Sequence, residues 1–138
     1  MSAPGQPHVS VLLPVRNGGA WFALALQSIL DQDGCDFELI VIDDGSSDGT
    51  SELLAACPDA RLRVLRREGG GLVAALNAGL ELARGDYVAR MDADDIALPG
   101  RLARQAATLD ADAVVEHAHA LAGEEDRRLY GVVRHGYG

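Results

Sequence analysis

Residues 87–95 read Tyr-Val-Ala-Arg-Met-Asp-Ala-Asp-Asp, a partly apolar strand pattern followed by three carboxylates. Residues 39–44 read Leu-Ile-Val-Ile-Asp-Asp and end in the same way. When strands alternate with helices, the strands align in parallel and ligands bind beyond their carboxyl ends. The two stretches therefore predict that up to five carboxylates gather at one edge of a sheet.

Clustered carboxylates of this kind need a partner of opposite charge. Two like charges roughly 4 Å apart repel by about 4 kcal/mol at an effective dielectric of about 20. A divalent ion that carries a bound phosphate relieves this repulsion, and such ions are usually held by one or two carboxylates plus substrate phosphates. We therefore interpret Asp92-x-Asp94, at the end of a strand, as a candidate magnesium or manganese site.

The remaining patterns predict a single α/β domain. Apolar periodicity and turn residues indicate strands over 9–15, 37–42, 61–65, 87–91 and 113–121, and helices over 21–32, 50–56, 72–83 and 99–109. This alternation is typical of a Rossmann-like, mostly parallel sheet flanked by helices. The third strand has one polar face and is expected near an edge of the sheet. Trp21 and Phe22 are expected to pack the first helix against the sheet. We expect the domain to cover 9–121, after a flexible leader (1–8) and before a tail (122–138) whose pattern decides nothing.

Length and composition indicate the size of the domain and the compartment in which the protein is expected. The 138 residues, 48% of them apolar, suffice for one domain with its own core. There is no signal peptide, and no apolar run approaches the roughly 18 residues that would span a bilayer. We therefore expect no transmembrane segment and a cytoplasmic protein, either free or peripheral to a membrane. Cys35 and Cys57 lack metal-ligand spacing and are expected to be reduced thiols. The sequence leaves the formation of an oligomer open.

Charge excludes several classes of partner and enzyme. The net charge of −9 argues against nucleic acid, because binding to a phosphate backbone needs basic patches. The chain has no lysine, and its 12 cationic side chains are all arginine. A phosphate-binding P-loop needs its lysine. Phospho-receiver domains and dehalogenase-type phosphatases normally use one as well, so the absence of lysine argues against all three.

Three further motifs have competing interpretations. Asp43-Asp44-Gly45-Ser46 either accepts hydrogen bonds from a base or ribose or caps its own turn. Gly69-x-Gly71-x-x-Ala74 resembles a dinucleotide fingerprint, but Arg66-Arg67-Glu68 separates it from its strand, and it follows the third strand, not the first. Glycines there also let a backbone approach a phosphate or base closely. His117-x-His119 has no evident third metal ligand and is expected to be an ordinary, partly exposed pair.

Four stretches in order give the chain a specific resemblance. Together the motifs resemble the donor half of a family-2 glycosyltransferase, an inverting group with the A-type nucleotide-sugar fold. The match runs from about Val9 to Leu109, and its landmarks are Val-Ser-Val-Leu-Leu-Pro-Val-Arg-Asn (9–17), Glu-Leu-Ile-Val-Ile-Asp-Asp-Gly-Ser-Ser-Asp-Gly-Thr (38–50), Gly-Leu-Val-Ala-Ala-Leu-Asn-Ala-Gly (71–79) and Ala-Arg-Met-Asp-Ala-Asp-Asp-Ile-Ala-Leu-Pro-Gly-Arg-Leu (89–102). Each stretch is weak alone, but four at this spacing are specific.

The resemblance implies a role for particular residues. Asp44 would accept a hydrogen bond from the base, Asp92 would lie near the ribose or the metal, and Asp94 would bind a divalent ion, manganese or magnesium, that bridges the donor phosphates. Asp95 would be a structural or secondary ligand. The other residues expected at the donor are Pro14, Arg16 and Asn17 beside the base and Gly70, Gly71 and Asn77 lining the nucleotide pocket. An aromatic residue often occupies the Arg16 position, so guanidinium packing would replace base stacking there.

The implied reaction transfers a sugar from a nucleotide-diphosphate sugar, most simply a UDP-sugar, to an unknown acceptor with inversion. Inversion needs a general base, which in this family comes from an acceptor half well past the metal motif. The chain ends 44 residues after Asp94, earlier than family members usually do, so we expect a truncated, donor-binding portion. No base is assigned among the acidic residues of that end, Glu116, Glu124, Glu125 and Asp126, and Val114-Val115-Glu116-His117 departs from the expected glycine-bearing strand end. Two alternatives remain open: a non-catalytic nucleotide-binding module completed by a partner, and a dinucleotide-binding oxidoreductase domain.

Overall fold

The computed structural model describes residues 6–111 and 132–134. The strands are β1 (Val9–Val15), β2 (Phe37–Asp44), β3 (Leu62–Arg67), β4 (Tyr87–Arg90) and β5 (Val132–Arg134), and the helices are α1 (Gly19–Leu30), α2 (Thr50–Ala56), α3 (Leu72–Leu82) and α4 (Arg101–Ala111). The strand expected over 113–121, the two histidines within it and the four acidic residues of the chain's end lie outside the described residues.

The sheet has the order β3-β2-β1-β4-β5. The first four strands are parallel, and β5 runs antiparallel to β4. This confirms the α/β class with a mostly parallel sheet, and it confirms β3 near an edge, where Val64 is exposed. Because β1 lies between β2 and β4, the carboxyl ends of these three parallel strands lie side by side. They form the border of the sheet that runs across the strand ends, which is different from the lateral edge occupied by β3. We call this border the carboxyl edge.

Helices cover the two faces of the sheet unequally. On one face, α1 and α4 bury Phe22, Ile29 and Leu102 against alternate residues of β1 and β2. On the other face, α3 packs Ala75 against Leu12, Ile40 and Ile42. This alternation follows from the period of two along a strand, which sends neighbouring side chains to opposite faces.

The expectation that Trp21 packs against the sheet is wrong. Trp21 is 63% exposed, whereas Phe22 is fully buried. On a helix, successive residues lie about 100° apart, so only one of two adjacent aromatic side chains can face the sheet, and the sheet-facing stripe of α1 is Phe22, Ala25, Leu26 and Ile29.

Several boundaries differ from the expected ones because of particular contacts. Gln32 lies beyond α1: its Oε1 accepts the N–H of Leu102 at 3.1 Å and its Nε2 donates to the carbonyl of Leu98 at 2.9 Å, so it joins α1 to the start of α4. Strands β2 and β3 each continue two residues further than predicted, because Asp43 pairs in register with Arg66 and Asp44 with Arg67. No described helix is both long enough and apolar enough to cross a bilayer.

Candidate functional site

The acidic cluster, defined as Asp92, Asp94 and Asp95, follows β4 directly at the carboxyl edge. One carboxylate oxygen from each residue lies within 4.8 Å of the others. A turn holds them together, since the N–H of Asp95 donates to the carbonyl of Asp92 at 3.1 Å. Asp92 is half-buried, and the other two are exposed. An all-carboxylate donor set suits a hard, oxygen-preferring cation such as magnesium or manganese, so these residues fit the metal that the sequence predicts.

Two arginines lie beside the acidic cluster, and neither was predicted from the sequence to lie there. Nη2 of Arg90 lies 3.8 Å from Oδ1 of Asp92. Nη2 of Arg101 donates to the carbonyl of Arg90 at 3.1 Å. Burial lowers the pKa of Arg101, while the negative charges of Asp95 and Asp92 act in the opposite direction. The cluster therefore has cationic neighbours on the protein itself.

Asp44 ends β2 and is 6% exposed. Its Oδ2 accepts the N–H of Gly71 at 3.1 Å. Its Oδ1 lies 3.7 Å from Nε of Arg67, which is beyond hydrogen-bond distance. Among the described residues, the buried side-chain atoms without a hydrogen-bond partner are Asp44 Oδ1, Arg67 Nε and Arg90 Nη2. Because buried polar atoms are normally satisfied, these three atoms mark the carboxyl edge as a part of the described structure whose hydrogen-bonding capacity is not fully used.

The glycine segment, Gly69–Gly71, joins β3 to α3 beside Asp44. Its residues have φ angles of +100°, +127° and +90°, a region that residues with a side chain rarely adopt. A Cβ added at Gly71 would meet no heavy atom within 4 Å, so the requirement for glycine there is conformational. The segment directs the N–H of Gly71 at Asp44 and leaves its backbone accessible. Asn77 lies exposed further along α3.

The loop after β1 is joined to the loop after β2. Asn17, at φ +52°, accepts the N–H of Ser47 on its Oδ1 at 2.7 Å and donates its own N–H to Oγ of Ser46 at 2.9 Å. Asp48 accepts the N–H of Gly19 at 3.0 Å and that of Thr50 at 3.1 Å. These contacts hold the starts of α1 and α2 in one loop pair. Pro14 is half-buried within β1, and Arg16 is exposed beside the pair.

Asp43 does not belong to the set of carboxylates available to a ligand. It is 1% exposed, and it accepts hydrogen bonds from the N–H of Ser46 at 3.0 Å, from the hydroxyl of Ser51, and from Nη1 of Arg66 at 3.1 Å. Burial raises its pKa, but the hydrogen bonds outweigh burial and the net pKa is lowered. The carboxyl edge therefore presents four carboxylates, one fewer than the sequence allows, since Asp43 supports the β2–α2 loop.

Two solved structures with bound nucleotide sugars share this arrangement of strands and helices. The chain superposes on S. aureus TarS residues 1–349 in complex with UDP-GlcNAc with a TM-score of 0.69 and 30% identity, over 75% of this chain and 31% of that one. It superposes on the mannosyltransferase PcManGT from Pyrobaculum calidifontis, in complex with GDP-Man and Mn2+, with a TM-score of 0.64 and 30% identity, over 75% of this chain and 32% of that one.

Similarity in sequence gives a second comparison with known proteins. The succinoglycan biosynthesis protein ExoO of Rhizobium meliloti is 39% identical over 108 residues, which cover 76% of this chain and 30% of ExoO. Eight such matches to curated relatives span between 14% and 41% of those relatives' lengths. A family model described as Glycosyl transferase family 2 matches residues 10–136. The chain therefore belongs to glycosyl transferase family 2.

Proposed function

We propose that this chain binds a nucleotide-diphosphate sugar, which is the donor of a metal-dependent, inverting glycosyltransferase. The reaction that it serves transfers the sugar from this donor to an acceptor. One observation carries the proposal: in a family-2 chain, an incompletely hydrogen-bonded Asp44 and the acidic cluster lie at the same edge of one sheet. The first offers an acceptor for a base, and the second offers ligands for an ion on the phosphates.

The nucleoside half of the donor is assigned to the loops after β1, β2 and β3. Oδ1 of Asp44 is buried and has no hydrogen-bond partner among the described residues, so it is suited to accept an N–H of the base. Pro14, Arg16 and Asn17 would lie beside the base, and the exposed guanidinium of Arg16 could pack on it. The open space around Gly71 would let the chain's backbone approach the nucleotide, and Gly70 and Asn77 would line the nucleotide site beside it.

The diphosphate half is assigned to the acidic cluster. Asp94 and Asp92 would hold a magnesium or manganese ion, and Asp95 would support them; the manganese in the PcManGT complex agrees with this choice. Such an ion supplies Lewis-acid stabilisation of the negative charge that builds on the departing nucleoside diphosphate. The chain's own part is to hold three carboxylates within reach of each other before the ion arrives.

Inversion of the sugar requires a general base that deprotonates the acceptor hydroxyl. No described residue is assigned this role, since the carboxylates at the carboxyl edge are committed to the donor and the ion. The matched stretch covers less than half the length of relatives such as the one aligned over 130 residues, so the activity of the whole protein stays a proposal.

Calorimetry tests the proposal. UDP and GDP are titrated into the chain with and without manganese, and NAD serves as the competing ligand. Binding of one nucleoside diphosphate that strengthens with manganese is expected, and binding of NAD without metal would instead support a dinucleotide-binding domain. Donor hydrolysis or transfer then distinguishes an active enzyme from a binding module, since a module binds the nucleotide but never turns it over.

A further inference from the structure

The acidic cluster is partly neutralised by the protein's own arginines. Arg90 is the last residue of β4, and its Nη2 lies 3.8 Å from Oδ1 of Asp92. That nitrogen is buried and has no hydrogen-bond partner in the described part of the chain, although 27% of the Arg90 side chain remains exposed. The distance is too long for a hydrogen bond but short enough for an ion pair, which solvent partly screens because 40% of the Asp92 side chain is exposed.

The guanidinium of Arg101 lies next to Arg90, at the backbone carbonyl of that residue. Nη2 of Arg101 donates to the carbonyl of Arg90 at 3.1 Å, and its Nε donates to Oε1 of Gln105 at 3.2 Å. These two contacts fix Arg101 near Asp92 and Asp95, whose negative charges act on it. Three carboxylates and two guanidiniums leave a net charge of about −1 at this place, much less than the cluster alone would carry.

This charge balance affects a bare cation and a cation with a diphosphate differently. A bare divalent ion is attracted by the carboxylates and repelled by Arg90, and it must draw Asp92 away from that guanidinium. An ion that arrives with a diphosphate brings anionic oxygens, which Arg90 attracts, and its Nη2 has an unused hydrogen-bond donor for them.

We propose that Arg90 is a positioning residue that makes metal binding depend on the nucleotide. By holding Asp92 when the site is empty, it keeps the affinity for a free divalent ion low. With the diphosphate present, the same guanidinium favours the assembled complex. This inference rests on the proposed function, because it requires the acidic cluster to bind a metal–nucleotide complex.

The test measures manganese affinity with and without UDP, from the electron paramagnetic resonance of the free ion. In the wild type, UDP is expected to strengthen manganese binding. In Arg90→Met, manganese alone is expected to bind about tenfold more tightly, because one opposing charge is gone, and the strengthening by UDP is expected to shrink. Arg90→Lys, which keeps a positive charge, is expected to restore weak binding of the free ion.

Arg104→Met is the matched control, since Arg104 is exposed on α4 and its Nη1 donates to the carbonyl of Pro99. It is expected to behave as the wild type. If circular dichroism shows that Arg90→Met does not fold, Arg90→Gln takes its place. Unchanged manganese affinity and unchanged coupling in the neutral Arg90 variant overturn the inference while leaving the proposed function intact. Absence of any manganese–UDP binding in the wild type overturns both.

Discussion

The aspartates at the ends of β2 and β4 differ in what already contacts them, and this separates their expected roles. Asp43 accepts three hydrogen bonds from the protein and is enclosed. Asp44 accepts one and keeps a buried oxygen without a partner. Asp94 is exposed within the acidic cluster. Availability to a ligand therefore increases from Asp43 to Asp94, although all three look alike in the sequence.

Asp94→Asn is expected to abolish the effect of manganese on UDP binding. The substitution keeps the shape of the side chain but removes a charged ligand from a cation that prefers carboxylate oxygens. Calorimetric titration of UDP with and without manganese measures this. Asp33→Asn is the matched control, because Asp33 is exposed and its Oδ1 accepts only the N–H of the adjacent Gly34 in the contacts described. Equal losses in both variants would remove Asp94 from the site.

Asp44→Asn is expected to weaken UDP binding about tenfold or more, with manganese and without it. The amide can still accept the N–H of Gly71 on its oxygen, but its NH2 group then takes the place of the buried acceptor, and an unmatched buried polar contact costs about 1–3 kcal/mol. The same calorimetry gives the ratio of UDP affinities with and without metal. That ratio is expected to stay at the wild-type value, and a change confined to the manganese-containing titration would assign Asp44 to the metal instead.

The positions of candidate residues were predictable where a motif concentrates them, and not where a tertiary contact brings them together. Asp92 and Asp94 follow from their spacing after an apolar strand, and Gly71 follows from a glycine run between a strand and a helix. Arg90 was missed because an arginine in a strand reads as an ordinary polar residue, and only the turn over 92–95 brings it to Asp92. Asp43 was overcounted because the sequence does not show that Ser46, Ser51 and Arg66 enclose it.

At the scale of elements, two glycines allow close packing: Gly79 lets α3 approach β2, and Gly85 lets the turn before β4 approach β1. A Cβ at Gly79 would lie 2.8 Å from Cδ1 of Ile42, the far end of a buried side chain. A Cβ at Gly85 would lie 2.6 Å from the backbone nitrogen of Ser10. A side chain can shift within the core at some cost, but a strand backbone in the middle of a sheet cannot shift without breaking its ladder.

We therefore expect Gly85→Ala to be the more damaging of the two substitutions. Gly79→Ala is expected to lower the free energy of unfolding by about 1–2 kcal/mol, since overpacking outweighs the gain in helix propensity. Gly85→Ala is expected to lower it by about 3 kcal/mol or more. Urea denaturation measures both, and Val73→Ala, at a position 72% exposed on α3, is the control with an expected change within about 0.5 kcal/mol. The reverse order of damage would contradict the described contacts.

A buried carboxylate joins three strands and the connection after α3, at the end of the sheet opposite the site. Glu38, 3% exposed, accepts the hydroxyl of Ser10 at 2.6 Å, the backbone N–H of Arg84 at 2.8 Å, and Nη1 of Arg63 at 2.9 Å. The guanidinium of Arg84 adds two more hydrogen bonds. Burial raises the pKa of Glu38, but these hydrogen bonds outweigh it and the net pKa lies below its ordinary 4.5.

The lowered pKa of Glu38 predicts the direction in which the free energy of unfolding changes with pH. A carboxyl whose pKa is lower in the folded state stabilises the fold above its unfolded pKa, and this contribution is lost as the pH falls through the folded value. Glu38→Gln is expected to cost about 2 kcal/mol at pH 7 and to flatten part of the loss of stability below about pH 4.5. Urea unfolding at a series of pH values measures this, with the exposed Glu81→Gln as control. An acid limb as steep in Glu38→Gln as in the wild type would refute the assignment.

The order of elements was predictable because each carries its own period, and eight of the nine predicted elements coincide with described ones. The strand ends were predicted less well, since β2 and β3 were expected to stop at Ile42 and Leu65, where the apolar run ends. Pairing of Asp43 with Arg66 and of Asp44 with Arg67 extends the ladder, and such cross-strand pairs are invisible until the neighbouring strand is known. The antiparallel β5 lies within 122–138, where the sequence pattern decided nothing.

At the scale of the whole molecule, the residues that stabilise the sheet and those proposed to bind the ligand lie at its opposite ends. The Glu38 network lies at the end of the sheet opposite the carboxyl edge, and its hydrogen bonds are satisfied. Among the described residues, the buried side-chain atoms without a hydrogen-bond partner all lie at the carboxyl edge. Like-charged carboxylates at the carboxyl edge oppose folding through their mutual repulsion. Ligand binding should therefore stabilise the fold as a whole, because the ion and the nucleotide satisfy groups that the protein alone leaves unsatisfied.

That coupling between binding and folding predicts a rise in thermal stability when the ligands are present. A ligand that binds only the folded state at 100 times its dissociation constant adds about 2.7 kcal/mol. With an unfolding entropy of about 2.1 cal/mol/K per residue, 138 residues convert this into a rise of about 9 °C in Tm. Differential scanning calorimetry with UDP and manganese is expected to show that rise in the wild type and in Asp33→Asn, but not in Asp94→Asn. A rise of the same size in Asp94→Asn would mean that the stabilisation does not pass through the acidic cluster, and the metal assignment would then fail even if UDP still bound.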